Sequence, residues 1–579
     1  VSVTTSHFAR RLGAILAAGL ALRVVYVAFQ PRFDPTFGRP ILDGAYYLDA
    51  ARALLASRPP AGVYYMPPLY PAALAIFLRL FGEAWSGLFL AQHAAVVASA
   101  GLLALVARRA GGEAAGLAAA ALALLYHPAL FFASRPLGEP LALLALAAAV
   151  FLAGQEEDRS GLGAGAAAGI AALVRPNLLP LAGVWVLGDL RARRWRRAAA
   201  LAFTAVLLVL PTACHNHAAS GRLVPVSANG GIVFWLGNGP DAVGLYTPSP
   251  GFTGSLATQQ AEAIAEASAR SGRALDSSGA DAYWWHEGWR ARRADPWGSL
   301  VLLIRRAGLT IDNAEHGLDD APALDSNPWR WAAPVPFAVL LGLAALAVAG
   351  HGWAKTGGFA LWSAIGVAVL APLVFYVSSR HRLPVAFLLA VPAGCGVAAL
   401  RAPRPGPVAV GLAALALSWA VPSGDLVRTE RAGALATLAD VHRRAGDLPA
   451  AERAARRATQ IDPTNAVAWF NLGAIEAAEG RRDAAERDYR AALAADPDQP
   501  DAAANLAGVL VATGRAGEAA APLERVLAAW PRHGAAWTNL VVAYAAAGET
   551  QKAQDAVRRA TLNGIALEPG LIEAVGGHR

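Results

Sequence analysis

Apolar runs separated by short arginine clusters fill the first 420 residues and leave such a chain few ways to fold. A bilayer core of about 30 Å needs about 20 apolar residues per helix, and such a helix satisfies its own backbone in lipid. The runs cover 12–29, 85–107, 114–132, 137–153, 161–173, 177–188, 198–213, 333–350, 357–377, 384–400 and 407–421. The pair around Arg175-Pro176-Asn177 reads as two short spans or one broken helix, so ten or eleven spans are expected. Residues 12–29 are longer than a usual signal-peptide core and lack a small-x-small site before the next proline, so an uncleaved first span is expected. Residues 68–82 and 298–309 are apolar but short, and read as interfacial helices.

The arginines give orientation. Arg10 and Arg11, Arg108 and Arg109, the run 191–197, the stretch 351–355 and the stretch 401–405 all go to the cytoplasm by the positive-inside rule. That leaves 30–84, 133–136, 214–332 and 378–384 facing outward, and an odd span count sends the C-terminus outward too. The formal charge of +8 therefore points to membrane topology; no basic face on a soluble domain speaks for nucleic acid. Cys214 and Cys395 lie far apart beside apolar runs, which argues against a disulfide framework or a cysteine metal site.

After Val421 the pattern changes to a 34-residue period. Gly446, Gly480, Gly514 and Gly548 share it, as do Pro463, Pro497 and Pro531, and Asn471, Asn505 and Asn539. Three residue classes on one period are the tetratricopeptide signature, a stack of antiparallel helix pairs with a concave face. The expected fold class is therefore all-α: a polytopic transmembrane helical bundle followed by a tetratricopeptide α-solenoid. The expected domains are 1–425 for the membrane part, with outer loops 30–84 and 214–332, then 426–570 for four repeats and 571–579 for a tail.

The outward segments hold the candidate chemistry. Asp43 follows the first span in ILDGAYYLDAARALL, between Asp34 and Asp49 and beside Tyr46 and Tyr47. One reading makes it a helix N-cap; the other makes it a general base, placed where a lipid phosphate and a hydroxyl meet. Arg380 and Arg382 in SSRHRLP, Arg175 in VRPN and Arg135 in SRPLGEP are candidates for a phosphate, which suits a guanidinium fork; each alone could instead snorkel to headgroups. Glu139, beside Pro140 at the edge of a span, is expected to pair with Arg135. The Gly/Asn-rich loop 227–248 offers Asn229, Asn238 and Tyr246 as contacts, with Trp235 as a sugar platform or an interfacial anchor. In 283–290 the aromatics read as anchors of a surface helix. Glu315 and His316 are candidates for an acceptor contact or a divalent metal, and two adjacent ligand types do not choose between them.

The order of these features (an Asp after the first span, a Tyr/Ala-rich helix, PPLYP at 67–71, LFG before the second span, and RxRLP late) resembles the GT-C membrane glycosyltransferases. The nearest group is the protein-mannosyltransferase and aminoarabinose-transferase-like family, glycosyltransferase family 39. The resemblance covers roughly residues 8–420. It implies a catalytic Asp43 and an inverting transfer of sugar from a polyprenyl-phosphate donor to a hydroxyl acceptor at the outer face of a bacterial inner membrane. That family often has Glu after the Asp, where this chain has Gly44. The repeats are expected to hold a protein or peptide partner. The alternatives are a transporter or flippase, an O-antigen ligase-like enzyme, and a membrane-anchored repeat scaffold.

Overall fold

The computed structural model describes residues 2–58, 60, 62–246, 256–317 and 333–576. These residues are helical almost throughout; the only β pairing among them is two isolated bridges, Tyr126 with Val335 and Leu245 with Val377. They divide into two compact units, one ending at Ser423 and one beginning at Gly424. The expected class, an all-α polytopic membrane bundle with a C-terminal repeat solenoid, is the one found.

In the first unit every expected run forms a helix. These are α1 (Ser2–Phe33), α2 (Leu42–Leu55), α3 (Leu69–Phe81), α4 (Trp85–Leu124), α5 (His127–Phe132), α6 (Glu139–Ala153), α7 (Asp158–Val174), α8 (Pro180–Arg191) and α9 (Trp195–Ser220). Next come α10 (Gly230–Asn238), α11 (Leu256–Ser271), α12 (Ser277–Ala294) and α13 (Pro296–Ile311), and then Phe337–His351, Gly358–Val374, Ser379–Ala399 and Pro405–Ala420. Four are long and apolar enough to cross a membrane: His7–Phe33, Trp85–Leu124, Trp195–Ser220 and Ser379–Ala399. The remaining apolar helices are shorter than an upright span needs, so length alone does not reproduce ten or eleven. Two expected runs share α4, which breaks at Gly111 and Gly112, where the backbone leaves helical geometry. The Ser379–Ala399 helix is the bundle's centre. It packs along α4 and Phe337–His351, and nearly all its apolar residues are buried.

The second unit turns the sequence period into a structural one. Gly446, Gly480, Gly514 and Gly548 all have φ between 76° and 79°, the left-handed turn that joins the two helices of each pair and disfavours a Cβ. The indole of Trp469 donates to the Pro463 carbonyl at 2.8 Å, and two repeats later Trp537 does the same to Pro531 at 2.8 Å. Likewise Asn471 donates to Ala436 and Asn539 to Ala504, both at 2.8 Å. Asn505 between them donates to the Tyr489 hydroxyl at 3.2 Å instead, so the series ties each repeat to the one before it through a backbone carbonyl at Asn471 and Asn539 and through a side chain at Asn505.

Candidate functional site

Four charged side chains from four helix ends converge in the first unit. Asp43 lies in the first turn of α2, Glu139 opens α6, Arg175 ends α7, and Arg380 lies in the first turn of Ser379–Ala399. Arg380 binds both carboxylates, Asp43 and Glu139, and Arg175 binds the same Glu139 oxygen, Oε1, as Arg380 does. Arg175 also donates to the Arg380 carbonyl at 3.3 Å. Both acids sit at helix N-termini, where the backbone dipole favours negative charge. The Glu139 side chain is only 2% exposed, whereas Asp43 keeps 24% and Arg380 15% exposure, so the Asp43–Arg380 pair is the open side of the array.

The local sequence explains these positions. Leu42 adopts φ 51°, a left-handed conformation costly for a branched residue, directly before Asp43. The expected alternative of an N-cap is corrected here. The cap position is Ile41, the Asp43 side chain makes no capping bond, and its carboxylate turns to Arg380. Gly44 lies against a proline wall: a Cβ there would stand 3.0 Å from Pro136. The glutamate common at this position in the resembled family would therefore press on the turn that leads into Glu139. The break at Arg175-Pro176-Asn177 ends α7 before a short 3₁₀ turn and delivers the guanidinium. The Ser378 hydroxyl caps Ser379–Ala399 by accepting from the His381 amide at 3.2 Å.

Tyrosines pack beside the array. The buried Tyr47 hydroxyl is within electrostatic reach of all four charges, and burial pushes its pKa up, so the phenol stays protonated. Tyr46 packs against Tyr47 and, at 6.5 Å between centroids, against Tyr65. Tyr65 is in turn within electrostatic reach of Tyr246, Asp281 and Asp43. The Tyr246 ring meets Tyr376 at 5.6 Å. Asn229 is held beside this group by Met66, whose sulfur accepts from its amide at 3.1 Å.

The other expected site residues belong elsewhere. Arg135 pairs with Asp34, not with Glu139, which corrects the expected pairing. Burial raises the Asp34 pKa, but Arg135 together with hydrogen bonds from Gln30 and Thr36 outweighs it and holds the carboxyl below its usual range. Arg382 is fully enclosed. It pairs with Glu315 at 2.8 Å, donates to the Asp312 carbonyl and covers the Phe337 ring. Glu315 also accepts from the Tyr126 hydroxyl at 2.9 Å. His316 turns the other way, to Asp312 at 3.1 Å. These neighbours thus serve different partners, and no group of three metal-ligating side chains forms among the described residues. Asn238 ties the end of α10 to the Val374 carbonyl and to Arg306. Thr247, Pro248 and residues 318–320, parts of the two loop motifs, lie outside the described residues.

The aromatics of the outer loop are also corrected. Trp284 is fully buried and Trp235 nearly so, their rings 5.4 Å apart, and the Trp284 indole donates to Ala263 at 3.0 Å. They are core residues, neither surface anchors nor sugar platforms, whereas Trp289, His286 and Arg290 on the same helix are exposed.

Asp281 escaped the sequence reading. It is half-buried on α12, accepts from the Gly231 amide at 2.6 Å, and has no cationic partner among the described residues. Gly231 is needed there because a Cβ would stand 2.0 Å from the Asp281 carbonyl oxygen. Burial pushes the Asp281 pKa up to about 6, only partly offset by Gly231. The folded chain therefore holds this proton more tightly than the unfolded chain, and the associated stability fades as pH rises through about 6. Asp281→Asn keeps a capping oxygen and does not titrate. It is expected to raise the apparent melting temperature at pH 7.5 and to give no gain at pH 4; equal gains at both would contradict the assignment.

The comparisons with known proteins bear on the same unit. Residues 65–215 match the family model for dolichyl-phosphate-mannose-protein mannosyltransferase. The resemblance read from the sequence is met there; the matched stretch contains Arg135, Glu139 and Arg175 and leaves Asp43 and Arg380 outside. Tetratricopeptide models match residues 432–475 and 465–560. No curated protein matches. Among solved structures, ArnT from Cupriavidus metallidurans bound to undecaprenyl phosphate is 14% identical, covers 82% of this chain and 79% of its own, and has a TM-score of 0.38. Its apo form is 18% identical over 66% of this chain and 78% of its own, with a TM-score of 0.30. The MamA segment from Desulfovibrio magneticus RS-1 is 21% identical over 23% of this chain and 75% of its own, at TM-score 0.21.

Proposed function

We propose that this chain is a membrane glycosyltransferase that moves a sugar from a polyprenyl-phosphate donor to a hydroxyl acceptor, with inversion, at the outer face of a bacterial inner membrane. The observation that carries this reading is the partly exposed Asp43 carboxylate clasped by Arg380, a cation that Glu139 also holds. The mannosyltransferase match over 65–215 supports the substrate class.

In this reading the array is a phosphate site closed by its own base. A guanidinium offers five N–H donors in a fixed fork and pairs readily with phosphate. When the donor arrives, its phosphate takes the place of Asp43 on Arg380, while Glu139 keeps Arg380 and Arg175 aimed. Asp43, released, accepts the proton of the acceptor hydroxyl. The acceptor oxygen bonds to the anomeric carbon as the bond from that carbon to the phosphate oxygen breaks. The electron pair leaves with polyprenyl phosphate, whose growing charge Arg380 and Arg175 stabilise. Arg135 and Arg382, each held by its own acid, are taken up by those ion pairs and are not part of this array.

The repeats, in this reading, lie outside the cytoplasm and present a protein acceptor to Asp43. Deleting residues 432–579 is expected to lower transfer to protein acceptors while leaving slow hydrolysis of the donor in place. Mass spectrometry of exported glycoproteins, with donor hydrolysis measured in membranes as the control, checks this. Unchanged protein glycosylation after deletion would remove the repeats from acceptor delivery.

A further inference from the structure

A second charged cluster lies on α12, outside the array. His286, Trp289, Arg290 and Arg293 follow the i, i+3, i+4, i+7 spacing of one helix face, and with Ala294 they line a groove of about 330 Å³. Arg293 is exposed, and its guanidinium has no partner among the described residues. Arg290 is held by Glu287, which also meets His286 at 3.3 Å and is itself only 7% exposed. One enclosed carboxylate thus stands against two guanidinium groups, and no lining residue is acidic, so the groove suits an anion. A guanidinium fork matches phosphate oxygens, and an exposed indole suits a membrane interface.

The helix that follows says where such an anion comes from. Asp295 caps α13 by accepting from the Gly298 amide at 2.8 Å, directly after the groove. On α13 the same spacing recurs with apolar residues: Trp297, Leu300, Val301 and Ile304 are all exposed, while Leu302, Arg306 and Leu309 are buried. A continuous apolar stripe is costly in water and fits the boundary between lipid headgroups and acyl chains. A basic groove joined to such a stripe fits the level of the lipid phosphates.

We propose that this groove binds the headgroup of an anionic phospholipid. Arg293, with Arg290, donates to its phosphate, and the α13 stripe lies among the acyl chains beside it. None of these residues belongs to the Asp43–Arg380 array, so the inference stands apart from the transfer reaction.

The test reads which lipids stay with the full chain, by native mass spectrometry, after release from nanodiscs holding equal amounts of phosphatidylglycerol and phosphatidylcholine. The unaltered chain is expected to retain phosphatidylglycerol in excess. R293Q is expected to lose about fivefold of that excess, the effect of one cation at an anionic surface. Arg293 leaves no partner stranded, so the variant is expected to fold as the unaltered chain does. R273Q removes the same charge before the other end of the 18-residue α12 and is expected to keep the excess. An excess unchanged in R293Q overturns the proposal. An equal loss in R273Q overturns it too, because net charge alone is then at work. Equal retention of the two lipids, with inorganic phosphate binding the chain in detergent and lost in R293Q, gives the groove to a free anion and overturns the lipid as its occupant.

Discussion

Asp43→Asn is expected to abolish sugar transfer, lowering kcat by about 10²–10⁴-fold, the range of a lost general base. The amide still offers an oxygen to Arg380, so helix α2 and the array are expected to hold, and donor binding to persist or tighten. Tightening follows from the ion-pair exchange: the donor phosphate then displaces a neutral amide from Arg380 in place of a carboxylate. Release of polyprenyl phosphate from a labelled donor, read beside donor affinity, checks both halves. Full turnover in the Asn variant would reduce Asp43 to a structural partner of Arg380.

The second large effect is at Arg380. Removing one partner of a buried ionic cluster leaves uncompensated charge, which typically costs about 3–5 kcal/mol. Arg380→Ala leaves Glu139 with Arg175 alone and Asp43 with none of its present bonds. The expected result is a fall in apparent melting temperature of several degrees together with loss of donor binding. Arg380→Lys separates the two effects. Its single ammonium keeps the charge but cannot fork between two carboxylates and a phosphate. Stability is then expected to recover largely, and donor affinity to stay well below that of the unaltered chain. Normal donor affinity in the Lys variant would move the phosphate away from this residue.

How far the sequence foretells these positions depends on the distance over which each feature is decided. Apolar runs decide helices locally, and α6, α7 and α9 fall where the runs predict. The repeat unit is legible for the same reason, since a left-handed glycine and an asparagine tie need only their neighbours and the next repeat. Asp43, Arg380, Arg175 and Glu139 are visible one by one because charge at the edge of an apolar run is costly unless used. Their pairing is not visible. Arg135 stands four residues from Glu139 in sequence, yet the turn between α5 and α6 sends it to Asp34, and Glu139 finds Arg380 across the bundle. Trp284 and Trp235 mislead for a related reason. An aromatic in a predicted outer loop looks like an anchor until α10 and α12 pack together and bury it. Asp281 carries no local signal at all; its bond to the Gly231 amide exists only after α10 and α12 pack together.

The most direct measurement is a cryo-EM map of the full chain with undecaprenyl phosphate. The account requires the phosphate on Arg380 and Arg175, with the Asp43 carboxylate turned free toward Tyr46. Phosphate density away from those arginines, with Asp43 still clasped by Arg380, would contradict it.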